Sequence, residues 1–179
     1  MALRRPLLDV EEYLELEATS SVKHDYVAGE VFALAGATDR HNQLALNLVV
    51  KLWASARAKG CRVFASDMKV RTPHDAFYYP DVMVVCEEDT DALVKTKPCL
   101  IIEVLSKSTE LVDRREKLVA YQSIATLQTY VLVSSDVKQL EYYAKHEDTW
   151  TREVIADEDI LHLPCLDLSL SLADIYEGL

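Results

Sequence analysis

Glu103 is the residue whose setting first demands a chemical explanation. It lies inside Leu100-Ile101-Ile102-Glu103-Val104-Leu105, where every neighbour is apolar. A run apolar on both strand faces is expected of a central, buried strand. An ionised carboxylate there costs several kcal/mol unless it is paired or bound to a cation. That weighs for a functional acid over a structural ion pair. Asp81 opens a second apolar run, Asp81-Val82-Met83-Val84-Val85-Cys86. If residues 81–86 and 99–104 are neighbouring antiparallel strands, the start of the first lies beside the end of the second. Asp81 then falls close to Glu103, and the polar segment from Glu87 to Lys97 connects the strands. Tyr79-Pro80-Asp81 alone is an ordinary way to enter a strand, so the pair is more informative than either member. A slip of one residue would change the face.

Two carboxylates converging at strand ends repel each other unless a divalent cation neutralises them. Oxygen ligands select hard ions such as Mg²⁺ or Mn²⁺. Such an ion activates water and stabilises charge on a phosphoryl group, which suits phosphodiester hydrolysis. Carboxylate pairs also serve glycoside hydrolysis, and an acid/base hydrolase could use the two without metal.

Downstream, Asp113, Lys117 and Tyr121 are spaced four apart and share one face of a helix. The plain reading is an i,i+4 ion pair worth a few tenths of a kcal/mol, with Tyr121 packing below it. The chemical reading is that Lys117 extends toward the carboxylates and offers a cation to a scissile phosphate. His41 lies on the helical face of Leu44, Ala45 and Leu48, as a half-buried histidine or a substrate contact. Ser106, just past Glu103, is a further orienting candidate. Glu30 sits beside a hairpin turn, where acids are usually exposed; it becomes a third metal ligand only if the hairpin folds back over the sheet.

The elements that must position these residues follow from periodicity. Asp9 caps a short acidic helix through about Glu17. Residues 25–34 form a hairpin turning at Ala28-Gly29. A helix runs from Thr38 to Ala58 and stops at Gly60. Strands are expected at 61–66, 67–72, 78–86 and 98–105, then a helix over about 109–124. Strands follow at 129–134, 138–144 and 149–155, and a short helix at 172–176. The fold class is α/β in the broad sense, a mixed sheet with flanking helices, and residues 1–179 are expected to form one domain.

Composition narrows the function further. Among 179 residues, 30 acids against 19 Lys and Arg give a net charge of −11. That argues against a protein that coats nucleic acid by bulk electrostatics. The charge is uneven. Residues 139–179 hold ten acids against Lys145 and Arg152. Residues 51–71 hold Lys51, Arg57, Lys59, Arg62, Lys69 and Arg71 against Asp67 alone. A second basic set is Lys95, Lys97, Lys107, Arg114, Arg115 and Lys117. A local basic face is therefore conceivable, although two ordinary solvated faces explain the same charges. No run reaches a membrane span, and the acidic turn after MALRR is not that of a signal peptide. Cys61, Cys86, Cys99 and Cys165 form no C-x-x-C pair. Their spacing points to reduced, mostly buried thiols in a cytoplasmic protein and away from a structural zinc site.

The strings YYPDVMVVC (78–86), LIIEVLSKST (100–109), D-x-x-x-K-x-x-x-Y (113–121) and TYVLVSS (129–135) together resemble the putative restriction endonuclease family of the PD-(D/E)XK nuclease superfamily. The segment DYVAGEVFALAGATDRHNQLALNL (25–48) is similar to that family's opening. The resemblance covers nearly the whole chain. It implies a restriction-endonuclease-like core, with Asp81 as the aspartate of the PD element and Glu103 as the acid of the second element. The lysine expected two residues after Glu103 is Leu105, and Lys117 matches the lysine that recurs on the family's next helix. The implied protein is an Mg²⁺- or Mn²⁺-dependent nuclease acting on DNA. Asp81 and Glu103 hold metal, Lys117 stabilises charge, and His41, Ser106, Asp113 and Tyr121 orient. The rival is a catalytically silent binding or scaffold protein with the same fold. Two-stranded cutting would suit a homodimer, and Tyr130, Tyr142 and Tyr143 are either its surface or core.

Overall fold

The computed structural model describes residues 7–106 and 110–179. Lys107, of the second basic set, and the MALRRP segment lie outside the described residues.

Helix α1 (Val10–Thr19) starts where the Asp9 side chain accepts from Glu12 N–H and the Glu12 side chain accepts from Asp9 N–H. This capping box satisfies two otherwise unpaired helix donors. Strands β1 (His24–Val27) and β2 (Glu30–Ala33) form the expected hairpin. At its turn Gly29 has φ +91°, and a Cβ there would meet Leu7 Cβ at 2.8 Å. Glycine is thus required twice over, by conformation and by space. Helix α2 (Asp39–Ala58) begins at Thr38, whose side chain accepts from His41 N–H. That cap fixes His41 in the first turn.

The strands β3 (Arg62–Ala65), β4 (Lys69–Arg71), β5 (Phe77–Tyr78), β6 (Val82–Val85), β7 (Val94–Lys95) and β8 (Pro98–Leu105) then serve two sheets. The expected strand at 78–86 is broken at Tyr79-Pro80-Asp81. Its first part, β5, pairs with β1 and β4, and its second, β6, pairs with β3 and β8. Pro80 has no N–H for a ladder, so a change of sheet there loses little. Residues 110–122 are helical in three parts: α3 (Glu110–Val112), a π turn (Asp113–Lys117) and α4 (Leu118–Gln122).

This run crosses from β8 to the parallel strand β9 (Thr129–Ser134), which β10 (Gln139–His146) and β11 (Thr149–Ala156) extend antiparallel. A hairpin of β12 (Ile160–Leu163) and β13 (Leu168–Ser171) and a last helix α5 (Leu172–Ile175) finish the chain. The larger sheet runs β11-β10-β9-β8-β6-β3 and the smaller β2-β1-β5-β4-β7.

Period-2 alternation along β8 splits the core. Leu100, Ile102 and Val104 pack with Leu44, Leu48 and Leu52 of α2. Ile101 and Leu105 face the other way, among Tyr121, Tyr130 and Leu132. Glu103 belongs to that second face by register. Tyr130 and Tyr143 are buried in the core, whereas Tyr142 is half-buried against it. Of the second basic set, Lys95 and Lys117 are interior, 2 % and 6 % exposed, whereas Lys97 and Arg115 are exposed and Arg114 is half-buried. Lys95 donates to the backbone oxygens of Asp89 and Asp91.

The cysteine expectation needs correction. Cys61 and Cys86 are joined as a disulfide, leaving Cys99 and Cys165 as thiols. Cys61 directly precedes β3 and Cys86 directly follows β6, so antiparallel pairing sets them opposite each other. Sequence spacing carries no trace of that adjacency. Among the described residues no helix is long and apolar enough to cross a membrane.

Candidate active site

Strand register delivers the acidic pair. Val82 lies opposite Ile102 in the β6–β8 ladder, so the next step places Asp81 against Glu103. The backbone N–H of Asp81 donates to Glu103 Oε2 at 3.3 Å, and Val104 N–H donates to Asp81 Oδ2 at 2.7 Å. Each acid is therefore tied to the strand that carries the other. His41 Nε2 lies 3.0 Å from Asp81 Oδ1, reaching in from the first turn of α2. That contact and some loss from burial leave the His41 imidazole more basic than usual, because Asp81 favours its cationic form.

The helical run over β8 supplies the cation. Lys117 Nζ donates to Glu103 Oε1 at 3.1 Å and forms an ion pair with Asp113 Oδ1 at 3.1 Å. Tyr121 donates its hydroxyl to the same Glu103 Oε1 at 2.9 Å. The π turn aids this alignment. A four-residue step overshoots one turn of an α-helix by about 40°, whereas the wider π turn undershoots it. The step from Asp113 to Lys117 spans the π turn and that from Lys117 to Tyr121 lies in α4, so the two drifts oppose.

Asp25, in β1, completes the cluster and was not singled out in the sequence. Its Oδ1 accepts from Tyr79 N–H at 3.2 Å, and its Oδ2 lies 3.9 Å from Lys117 Nζ. The hairpin thus does return over the sheet, but it presents Asp25. Glu30 is exposed in β2, at the edge of the smaller sheet and outside the cleft. The one available signal was an acid in a strand otherwise ending in Tyr26 and Val27, which is weak by itself.

The electrostatic balance is lopsided. Asp25, Glu103 and Asp113 surround Lys117, and Asp81 sits against Glu103, paired with His41 at the rim. Burial pushes the Glu103 carboxyl well above the usual carboxylate range; Lys117 opposes this, and Asp113 and Asp81 add to it. Burial likewise raises Asp25, to about 6. For Lys117 burial works against the charge, yet Glu103, Asp25 and Asp113 hold it above the ordinary lysine range. These shifts share one cause, more negative than positive groups in a poorly solvated space.

A cleft of about 970 Å³ opens over the cluster, lined by His41, Asp81, Glu103, Ser106, Asp113 and Lys117 among others. The structure therefore brings together every site residue expected from sequence except Glu30. Hard carboxylate oxygens in excess over cations fit a divalent ion such as Mg²⁺ or Mn²⁺. His41 Nδ1, buried without a hydrogen-bond partner, marks the same rim as incompletely satisfied.

The fold is that of a restriction-endonuclease-like protein. Residues 10–173 match the family model described as Uma2, Putative restriction endonuclease, and the chain belongs to that family. Two uncharacterized proteins of Synechocystis sp. (strain ATCC 27184 / PCC 6803 / Kazusa) are similar to it. One, slr1290, is 34% identical over 178 residues, covering 97% of this chain and 94% of its own. The other, sll1609, is 35% identical over 147 residues, covering 79% and 83%. The fold is similar to a crystal structure of a putative nuclease belonging to DUF820 from Anabaena variabilis ATCC 29413. The TM-score is 0.79 at 18% identity, over 94% of this chain and 97% of that one.

Proposed function

We propose that this chain is a divalent-metal-dependent hydrolase of phosphodiester bonds in DNA, folded as one domain. The observation that carries the reading is Glu103, buried mid-strand, hydrogen-bonded to the backbone of Asp81 on one side and to Lys117 on the other. Asp81 and Glu103 would hold Mg²⁺ or Mn²⁺, which in such sites lowers the pKa of water and stabilises charge on a phosphoryl group.

The remaining work falls to the protein's own groups. His41 holds Asp81 Oδ1, and Val104 N–H holds Oδ2, so the carboxylate is oriented before substrate arrives. Lys117 stays cationic and faces Glu103, with Asp113 and Asp25 fixing its direction. A fixed positive charge in a poorly solvated cleft stabilises a phosphorane-like charge better than a mobile surface lysine. Tyr121 fixes the Glu103 rotamer from below. The lysine missing at Leu105 is thus replaced in space by Lys117, whose ammonium reaches the Glu103 carboxylate from the next helix.

A silent scaffold remains the competing reading, favoured by one observation: both Asp81 oxygens and Glu103 Oε1 already have protein partners. Nicking of supercoiled DNA at low salt separates the two. The enzyme nicks with Mn²⁺ and not with chelator; binding without cleavage under both conditions selects the scaffold. A homodimer would suit two-stranded cutting, and sedimentation of the active species tests it.

A further inference from the structure

All four cysteines of the chain meet at one end of the larger sheet, away from the acidic cleft. Cys61 precedes β3, Cys86 follows β6, Cys99 lies in β8, and Cys165 sits in the 3-10 turn Pro164–Leu166. The order β8-β6-β3 with antiparallel pairing sets the first three side by side, and the turn after β12 brings up the fourth. Cys86 Sγ is 3.4 Å from Cys99 Sγ, and Cys165 presents its thiol to the same pair. The sulfurs of Cys86, Cys99 and Cys165 all lie within 4.8 Å of one another, and Cys61 is bonded to Cys86.

Sulfurs around a tetrahedral zinc ion, with Zn–S bonds of about 2.3 Å, are about 3.8 Å apart. The Cys86–Cys99 separation of 3.4 Å and the 4.8 Å limit on all three sulfurs are compatible with that value. Four thiolates make a closed structural site with no position left for water, and soft sulfur prefers Zn²⁺ to the hard Mg²⁺ or Mn²⁺ suited to the carboxylates.

We propose that, with the Cys61–Cys86 bond reduced, Cys61, Cys86, Cys99 and Cys165 together bind one Zn²⁺ ion as a structural centre. A phosphine or dithiol reductant takes up the oxidising equivalents of the disulfide and leaves two thiols. On binding the ion, four thiols release four protons to solvent, so the centre carries a net charge of −2. The disulfide and the metal are alternative staples, since the bond occupies two of the four ligands. Either one ties β3 to β6; only the metal also ties in β8 and the turn after β12. It would hold the far ends of the two strands that carry Asp81 and Glu103. The carboxylate site lies roughly five residues along β6, about 16 Å away at strand rise, so the two metal sites are chemically and spatially separate.

Cobalt(II) titration of the reduced, metal-free protein under anaerobic conditions tests the proposal. The expected result is a sulfur-to-cobalt charge-transfer band with intense tetrahedral ligand-field bands, saturating at one ion per chain and abolished by one equivalent of Zn²⁺. The four thiols should react with a thiol reagent in the metal-free form and be protected in the zinc form. Cys165→Ser, a small change in a half-exposed turn, should weaken cobalt binding at least tenfold, whereas Glu103→Gln should leave the cobalt spectrum as it is. Absence of the thiolate band in the reduced wild type overturns the proposal. So does unchanged cobalt affinity in Cys165→Ser, or thiols that stay equally reactive with and without Zn²⁺.

Discussion

Glu103 Oε1 lies 3.1 Å from Lys117 Nζ, a buried ion pair between the central strand β8 and the helix that crosses over it. Breaking such a pair by removing one member leaves an uncompensated buried charge, at roughly 3–5 kcal/mol. Here Lys117 serves Glu103, Asp113 and Asp25 together. Lys117→Met should therefore destabilise the metal-free protein by that order in urea denaturation. A loss under about 1 kcal/mol would mean the ammonium does not neutralise the cluster.

Metal should act in the opposite direction. The excess of carboxylates predicts that Mn²⁺ or Mg²⁺ raises the melting temperature, by linkage worth about 2.7 kcal/mol at a hundred times Kd. Glu103→Gln should remove most of that response and leave metal-free stability unchanged or higher, because Asp113 and Asp25 still pair Lys117. Equal metal-induced shifts in both proteins would place the cation elsewhere.

The pair of acids was legible in the sequence because a carboxylate in LIIEVL has no ordinary reason to be there, and a hairpin put Asp81 opposite it. The Asp113–Lys117–Tyr121 face was legible from its four-residue spacing. Other features depend on long-range pairing, which local pattern does not encode. Asp25 enters only because β1 pairs with β5, 54 residues from its partner Tyr79. The break at Pro80 divides one apparent strand between two sheets. Lys95 and Lys117, counted among surface cations, are interior because backbone carbonyls and carboxylates await them. The Cys61–Cys86 adjacency likewise follows from register alone.

Asp25 predicts a pH dependence. Its folded pKa, raised to about 6 chiefly by burial, exceeds the ordinary aspartate value of 3.8. The folded state then binds more protons than the unfolded state between those values, so metal-free stability falls as pH rises from about 4 to about 6. At about 1.4 kcal/mol per unit the loss is about 3 kcal/mol at most. The raised Glu103 extends the decline to higher pH. Asp25→Asn should flatten the curve between pH 4 and 6; an unchanged curve would remove Asp25 from the coupled cluster.

Tyr121→Phe removes the hydroxyl that Glu103 Oε1 accepts from in a fully buried setting. The expected loss is about 1–3 kcal/mol of stability, with a smaller effect on turnover than any change at Asp81. Thermal unfolding beside a cleavage assay measures both. A stability loss within error would show that water replaces the hydroxyl.

Single-turnover nicking of supercoiled DNA by wild type, Asp81→Asn and Lys117→Ala tests the central claim most directly. The assay is run at low salt with saturating Mn²⁺, since an acidic protein loses DNA affinity steeply as ions are added. The account predicts Mn²⁺-dependent nicking in the wild type and none above background in Asp81→Asn. Lys117→Ala should be slower by roughly tenfold to a thousandfold, as for loss of one transition-state charge stabiliser. Equal cleavage by wild type and a folded Asp81→Asn would contradict it.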